Sequence, residues 1–172
     1  MGSIRLARTI LDPLIAFLHP LPKLAIFPLF LVLLGIGEAS KIAVVAVTAF
    51  FPMLLNTLVG VEQIERSYWE VAANYGVKGF VLLRRLIVPG SLPMALVGLR
   101  LAFNNGLILT IAVEMLSAQQ GLGVQIWLAW QTLRIGQLYA TLVVIALLGY
   151  GFNFLLSRTA TWLVPWQYHF EK

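Results

Sequence analysis

Four apolar stretches alternate with polar segments along the chain. They cover residues 24–37, 42–61, 91–116 and 138–156. A helix rises about 1.5 Å per residue, so the last three are long enough to cross a hydrocarbon core of about 30 Å. The first is shorter, because Pro20 and Pro22 interrupt the apolar residues before it. The pattern predicts an all-α integral membrane protein with about four transmembrane helices in one domain, residues 1–172.

Residues 62–89, between the second and third stretches, are the most polar part of the chain. Apolar side chains recur there at helical spacing beside the charged residues: Ile64, Tyr68, Val71, Ala72 and Tyr75. Gly76 interrupts this pattern, and a second short pattern ends at Pro89. We expect two short amphipathic helices joined near Gly76. We also expect Pro89 in the first turn of the third span, where a proline loses no intrahelical hydrogen bond.

The basic residues predict how the chain crosses the membrane, because cytoplasmic loops carry an excess of lysine and arginine. If residues 62–89 are cytoplasmic, four alternating spans put both termini there too. That side then holds Arg5, Arg8, Lys23, Arg66, Lys78, Arg84, Arg85, Arg158 and Lys172. Lys41 and Arg134 lie outside, and Arg100 lies within a span. Residues 117–137 then form an outer loop with room for an interfacial helix.

Aromatic residues are placed as expected for the two membrane boundaries. Trp127, Trp130 and Tyr139 fall near the outer boundary. Trp162, Trp166 and Tyr168 fall near the inner one. The arrangement supports the same orientation of the spans.

The composition excludes several classes of protein. Hydrophobic residues make up 60% of the chain and charged residues 11%, against about 25% charged in a typical soluble domain. There is no cysteine, and the two histidines, His19 and His169, lie far apart, so no metal site is expected. The net charge of +5 is spread along the chain and predicts no nucleic-acid patch. No P-loop run and no catalytic set of side chains occurs, so we expect no cofactor.

The third stretch contains polar residues at membrane depth: Arg100, Asn104, Asn105 and Glu114. At 100° per residue, Arg100, Asn104 and Glu114 fall within an arc of about 120°. Polar groups in a span usually face a wet cavity or the bundle interior. They either line a pathway for an anion, which Arg100 attracts, or tie the helix to its neighbours. For Glu114, near the outer boundary, we favour the structural role.

The polar segment resembles the cytoplasmic signature of ABC importer permeases. That signature is Glu-Ala-Ala, then glycine, then an apolar-x-apolar-Pro ending. The matching residues are Glu70, Val71, Ala72, Gly76, Leu86, Val88 and Pro89. Val71 stands where the family favours alanine, a mild departure because both side chains are small and apolar. In the family this loop forms coupling helices that dock on the ATP-hydrolysing subunit, which implies the same role for residues 62–89.

Further segments look like the permeases for nitrate, sulfonate and taurine. Among them are Gly35-Ile36-Gly37-Glu38, Gly98-Leu99-Arg100, Glu114-Met115 and Gly121-Leu122-Gly123. The resemblance covers nearly the whole chain and begins near the third of the family's roughly six spans. It implies a type I ABC importer permease of a bacterial plasma (inner) membrane, moving a small anion inward. The implied partners are an ABC ATPase subunit, an extracytoplasmic solute-binding protein, a second permease chain in a homodimer, and membrane lipid.

Three other functions stay open at this point. A secondary transporter or channel would also use polar residues in a span, but it would not need the coupling motif. A membrane-embedded enzyme would need a paired acid and base at one depth, which the sequence lacks. A truncated, non-transporting relative of the permeases is the third, because the first two family spans have no counterpart here.

Overall fold

The computed structural model describes residue 17, residues 20–117 and residues 120–165. Every regular element in these ranges is a helix, which confirms the all-α prediction. The helices are α1 Lys23–Leu34, α2 Glu38–Glu62, α3 Arg66–Asn74, α4 Gly79–Leu82, α5 Val88–Ser117, α6 Leu122–Gln131 and α7 Ile135–Leu163. A π-helical turn, Leu83–Ile87, joins α4 to α5. The predictions for His19, Trp166, Tyr168, His169 and the chain termini concern residues outside these ranges.

Within the described residues, three helices are long and apolar enough to cross a membrane. They are α2, α7 and the continuous helix Gly79–Ser117, which includes α4 and α5. The first predicted span corresponds to α1, which has only 12 residues, or about 18 Å of rise. It is bounded by Pro22 at its N-cap and by Gly35 at its C-cap, where φ is +80°. Residues with a Cβ rarely adopt this φ, so a glycine suits the end of the helix.

Pro89 is the second residue of α5, so it lies in the first turn of that helix, as predicted. The prediction of a separate second short helix is wrong, because helical structure continues without a break through Gly79–Ser117 and α4 is its first turn. A proline ring in an α-helix clashes with the carbonyl four residues earlier, here that of Arg85. Arg85 lies in the π-helical turn Leu83–Ile87, where hydrogen bonds span five residues instead of four. The turn accommodates Pro89 and allows the helix to extend into the polar segment.

The most extensive packing joins α2 to α5. A Cβ built on Gly60 would lie 2.8 Å from the carbonyl oxygen of Ser91, and one on Gly98 would lie 2.9 Å from Cβ of Asn56. Sequence numbers rise along one helix as they fall along the other, so the two helices are antiparallel. Small residues allow helix backbones in membranes to approach this closely.

The buried core is small and lies where α1, α2 and α5 meet. Its main cluster consists of Phe27, Val44, Leu109 and Val113. Helix α6 packs between α5 and α7. In the most apolar stretches of α2 and α7 only 11% of the residues are buried within the chain. Most of their apolar surface is therefore left for lipid or for other helices.

Candidate functional site

The segment between α2 and α5, residues 63–87, is called the arm below. Its first helix, α3, has no buried residue. Tyr68 is 59% exposed and Val71 is 53% exposed, although both belong to the apolar face that the sequence pattern predicts. Ala72 is half-buried and Glu70 is exposed. An amphipathic helix whose apolar side chains remain exposed within its own chain is suited to a partner's groove.

Gly76 ends α3 in a left-handed conformation, with φ of +68°. Its N–H donates to the carbonyl of Ala73 at 3.0 Å, and the N–H of Val77 donates to the carbonyl of Ala72 at 2.9 Å. This pair of bonds is the Schellman motif, which satisfies the last carbonyls of a helix. Gly76 therefore sets the direction in which the chain leaves α3.

Glu70 is held on the surface of α3 by a neighbour one turn earlier. Nε of Arg66 donates to Oε1 of Glu70 at 3.0 Å, and both side chains are largely exposed. Exposed pairs of this kind contribute only about 0.3–0.5 kcal/mol to a helix. The pair is therefore weak enough to be exchanged for a partner's basic groups, to which the exposed carboxylate is accessible.

The second half of the arm begins with another left-handed glycine, Gly79, with φ of +59°. Phe80 is 73% exposed there. A groove of about 450 Å³ lies at the elbow between α3 and the long helix. It is lined by Gln63, Ile64, Glu65, Tyr68, Arg85, Leu86, Pro89 and Gly90. The groove brings Leu86 and Pro89 together, while Val88 is exposed and Glu70, Val71 and Ala72 lie outside the groove lining.

Two of the polar residues predicted for the third span contact α7. Nη2 of Arg100 donates to Oγ of Ser157 at 2.9 Å. Oδ1 of Asn104 accepts from Nδ2 of Asn153 at 3.0 Å. These bonds join α5 to α7 at two successive turns. A guanidinium has five N–H donors, and the bond to Ser157 uses one of them.

Asn153 was missed by the sequence reasoning. Its Nδ2 also donates to the carbonyl of Gly149 at 2.8 Å. Its Oδ1 is buried and has no hydrogen-bond partner among the described residues. The sequence did contain a signal for Asn153, because it is an amide side chain within the fourth apolar stretch. A polar group there is as costly as one in the third apolar stretch.

The other two polar residues do not join this contact. Asn105 is exposed on the surface of the chain. Glu114 contacts α6 instead, since its Oε2 accepts from the N–H of Gly123 at 2.8 Å. The face predicted for Arg100, Asn104 and Glu114 is therefore divided between two neighbouring helices. The described residues contain no group of three or more His, Cys, Asp or Glu side chains that could hold a metal ion.

The amino-acid sequence is similar to those of known transport proteins. A family model described as "Binding-protein-dependent transport system inner membrane component" matches residues 1–167. A probable ABC transporter permease protein of Brucella abortus is 34% identical over 167 residues, 97% of this chain and 67% of that protein. The taurine transport system permease protein of Escherichia coli is 33% identical over 166 residues, 96% of this chain and 60% of that protein.

A third relative extends the range of named substrates. The bicarbonate transport system permease protein of Synechococcus elongatus is 32% identical over 167 residues, 96% of this chain and 59% of that protein. The chain thus spans 59–67% of the length of these three relatives.

Proposed function

Because the chain belongs to the family of inner membrane components of binding-protein-dependent transport systems, we propose that it is the permease subunit of an ABC importer. In this proposal it passes a small anion into the cytoplasm, and a separate ATPase subunit supplies the energy. The observation that carries the proposal is the arm, whose amphipathic helix α3 has no buried residue in its own chain. A transporter that works without an ATPase has no need of such a docking element.

The proposed partners follow from the surfaces that this chain leaves uncovered. An ATPase subunit binds α3 and the elbow groove beside Leu86 and Pro89. A second permease chain and lipid cover the exposed apolar faces of the spanning helices. A solute-binding protein delivers substrate on the opposite side of the membrane.

The proposed substrate is a small oxyanion. The relatives named above are described as permeases for taurine and bicarbonate, and a further relative in Escherichia coli is described as a putative permease for aliphatic sulfonates. Taurine and aliphatic sulfonates share a sulfonate group, and bicarbonate is also a small anion with charge delocalised over oxygens. Arg100, the basic residue within the third span, is the proposed attractor for that charge.

The direct test is reconstitution of the chain in vesicles with its ATPase and solute-binding protein. We expect uptake of a labelled sulfonate or bicarbonate that requires ATP and the binding protein together. Uptake that proceeds without ATP would instead identify a channel or secondary transporter. Stable assembly with no uptake of any small anion would favour a non-transporting subunit.

A first prediction concerns orientation, for which the arm is proposed to be cytoplasmic. The chain has no cysteine, so a single introduced thiol reports its own position. Lys78→Cys in the arm should react only after the cells are permeabilised, whereas Gln131→Cys at the end of α6 should react in intact cells. Both positions are exposed, so accessibility differs only by side of the membrane. Labelling of position 78 in intact cells by an impermeant maleimide would overturn the orientation.

A second prediction distinguishes two hypotheses for Arg100, namely that it attracts the substrate anion or that it ties α5 to α7. Arg100→Ala should lower uptake by about ten- to a hundredfold, the range expected for losing hydrogen bonds to a charged group, while the ATPase still co-purifies. Ser157→Ala is the matched control, because it removes the tie to α7 but keeps the cation. If both variants lose uptake equally, Arg100 acts by tying the helices together and not by attracting substrate.

A further inference from the structure

Glu114 lies in the last turn of α5 and makes a contact that the proposed function does not yet use. Its Oε2 accepts from the N–H of Gly123 at 2.8 Å. Gly123 is the second residue of α6, and its N–H is one of the first four in a helix that have no intrahelical partner. The N-cap of α6 is Gly121, which has no side chain to cap with. The carboxylate of one helix therefore caps the next.

The surroundings of this contact are shaped to admit the carboxylate. A Cβ on Gly121 would overlap the carboxylate of Glu114, and a Cβ on Gly123 would overlap the carbonyl oxygen of Ile111. Gly121 also has φ of +134°, a conformation that other residues rarely adopt. A negative charge at this end is favoured by the helix dipole of α6. The contact between Glu114 and the start of α6 is called the clasp below.

The clasp lies at one end of a helix whose other end is the arm. The helix Gly79–Ser117 has 39 residues, which corresponds to about 58 Å of rise. The helix can bend at the π-helical turn Leu83–Ile87 and at Pro93, but it is not interrupted, so a displacement of the arm is passed along it towards Glu114. Helix α6 contacts both α5 and α7, so it receives that displacement at the side of the membrane opposite the arm.

We infer that Glu114 is a positioning residue of the transport cycle, because its clasp makes α6 follow the long helix. The clasp is a contact within one chain and does not depend on the proposed function. Its role in transport rests on the proposed function. Movement imposed on the arm by an ATPase reaches α6 through the bond between Glu114 and Gly123. Without this bond, the N-terminal end of α6 is held to the long helix only by packing and by the chain connection from Ser117.

The first test measures the clasp itself. Spin labels are placed on Ile108→Cys in α5 and Leu128→Cys in α6, both exposed positions, in the otherwise cysteine-free full chain in lipid nanodiscs. We expect one narrow distance distribution for the parent and a broad or displaced one for Glu114→Ala. Glu114→Gln, which keeps an acceptor oxygen but loses the charge, should lie between them. An unchanged distribution in Glu114→Ala would overturn the clasp.

The control for both tests is Glu38→Ala. Glu38 is a second carboxylate, but its side chain is 78% exposed and its described ion pair is with Lys41, on its own helix. Glu38 is the first residue of α2 and also lies at a helix N-terminus, but it makes no capping hydrogen bond there, so removing it changes the charge by the same amount without breaking a cap. The label distances and the uptake should therefore stay at the parent values. A change as large as in Glu114→Ala would show that the loss of charge, and not the loss of the cap on α6, causes the effect of Glu114→Ala.

The second test measures transmission in vesicles that contain the chain, its ATPase and its binding protein. Glu114→Ala should lower the anion imported per ATP hydrolysed by about tenfold or more, as expected for losing a bond to a charged acceptor. The complex should still assemble and hydrolyse ATP at its basal rate, which a purely structural defect would not allow. Unchanged import per ATP would overturn the role in transport. If Glu114→Ala fails to assemble, Glu114→Gln is measured in its place, with a smaller loss expected.

A parent complex that shows no ATP-driven uptake would refute the proposed function and, with it, the transmitting role of Glu114. The label distances would still decide whether the clasp exists, because they require no partner protein.

Discussion

Gly76→Val and Glu70→Ala should each insert normally in the membrane and yet abolish most ATP-driven uptake. Gly76 has φ of +68°, and a left-handed conformation costs a residue with a Cβ about 1–2 kcal/mol. A β-branched valine should therefore leave that conformation and redirect the chain after α3. Glu70 is expected to pair with basic groups or amides of the ATPase, and truncating one partner of a buried pair costs about 2–5 kcal/mol. The measurements are co-purification of the ATPase and binding-protein-stimulated hydrolysis in vesicles.

The controls for these variants are chosen from the same arm. Gly76→Asn should remain active, because asparagine tolerates the left-handed conformation and no atom lies within 4 Å of a Cβ built there. Lys78→Gln, an exposed change of charge, should have little effect. If Gly76→Val and Glu70→Ala keep full ATPase binding, stimulation and uptake, the arm is an ordinary solvated segment. The importer proposal would then lose its main support.

Gly98→Leu should disrupt the pairing of α2 with α5 and destabilise the whole chain. A Cβ at this position would lie 2.9 Å from Cβ of Asn56 and 3.0 Å from the carbonyl oxygen of Pro52. A backbone carbonyl cannot rotate away as a side chain can, so the helices must separate. Overpacking costs about 1–3 kcal/mol or more, which corresponds to a Tm lower by roughly 2–12 °C for a chain of this size. The shift in Tm is measured by heating the chain in detergent and recording the fraction that stays soluble at each temperature.

Gly151→Leu provides the comparison for Gly98→Leu. Gly151 is exposed on α7, and no atom lies within 4 Å of a Cβ built there. The two variants make the same chemical change inside a long helix, so only the packing differs. Equal Tm values for both would mean that the close approach of α2 and α5 does not limit stability.

Local chemistry made some features of the arm predictable. The interruption at Gly76 indicated a turn, and the structure places Gly76 in the left-handed region. The helical spacing of Tyr68 and Val71 indicated α3, which the structure has at Arg66–Asn74. The helical extension upstream of Pro89 was not predicted, because the usual rule for proline assumes α-helical hydrogen bonds there. The π-helical turn Leu83–Ile87 removes that assumption, and nothing in the residue pattern distinguished it from an α-helical turn.

The sequence by itself determined that this chain is helical and membrane-embedded, because apolar runs of this length have no other stable arrangement in lipid. It also identified the arm, where charge and helical periodicity coincide. Only the tertiary structure decided which polar residues meet. Arg100 and Asn104 reach α7, and Glu114 reaches α6. The angular position of a residue on its own helix is set by local geometry, but the neighbour it faces depends on how separate helices pack. For Glu114, the neighbour is set by the small number of residues between Ser117 and α6 and by glycines that leave room for its carboxylate.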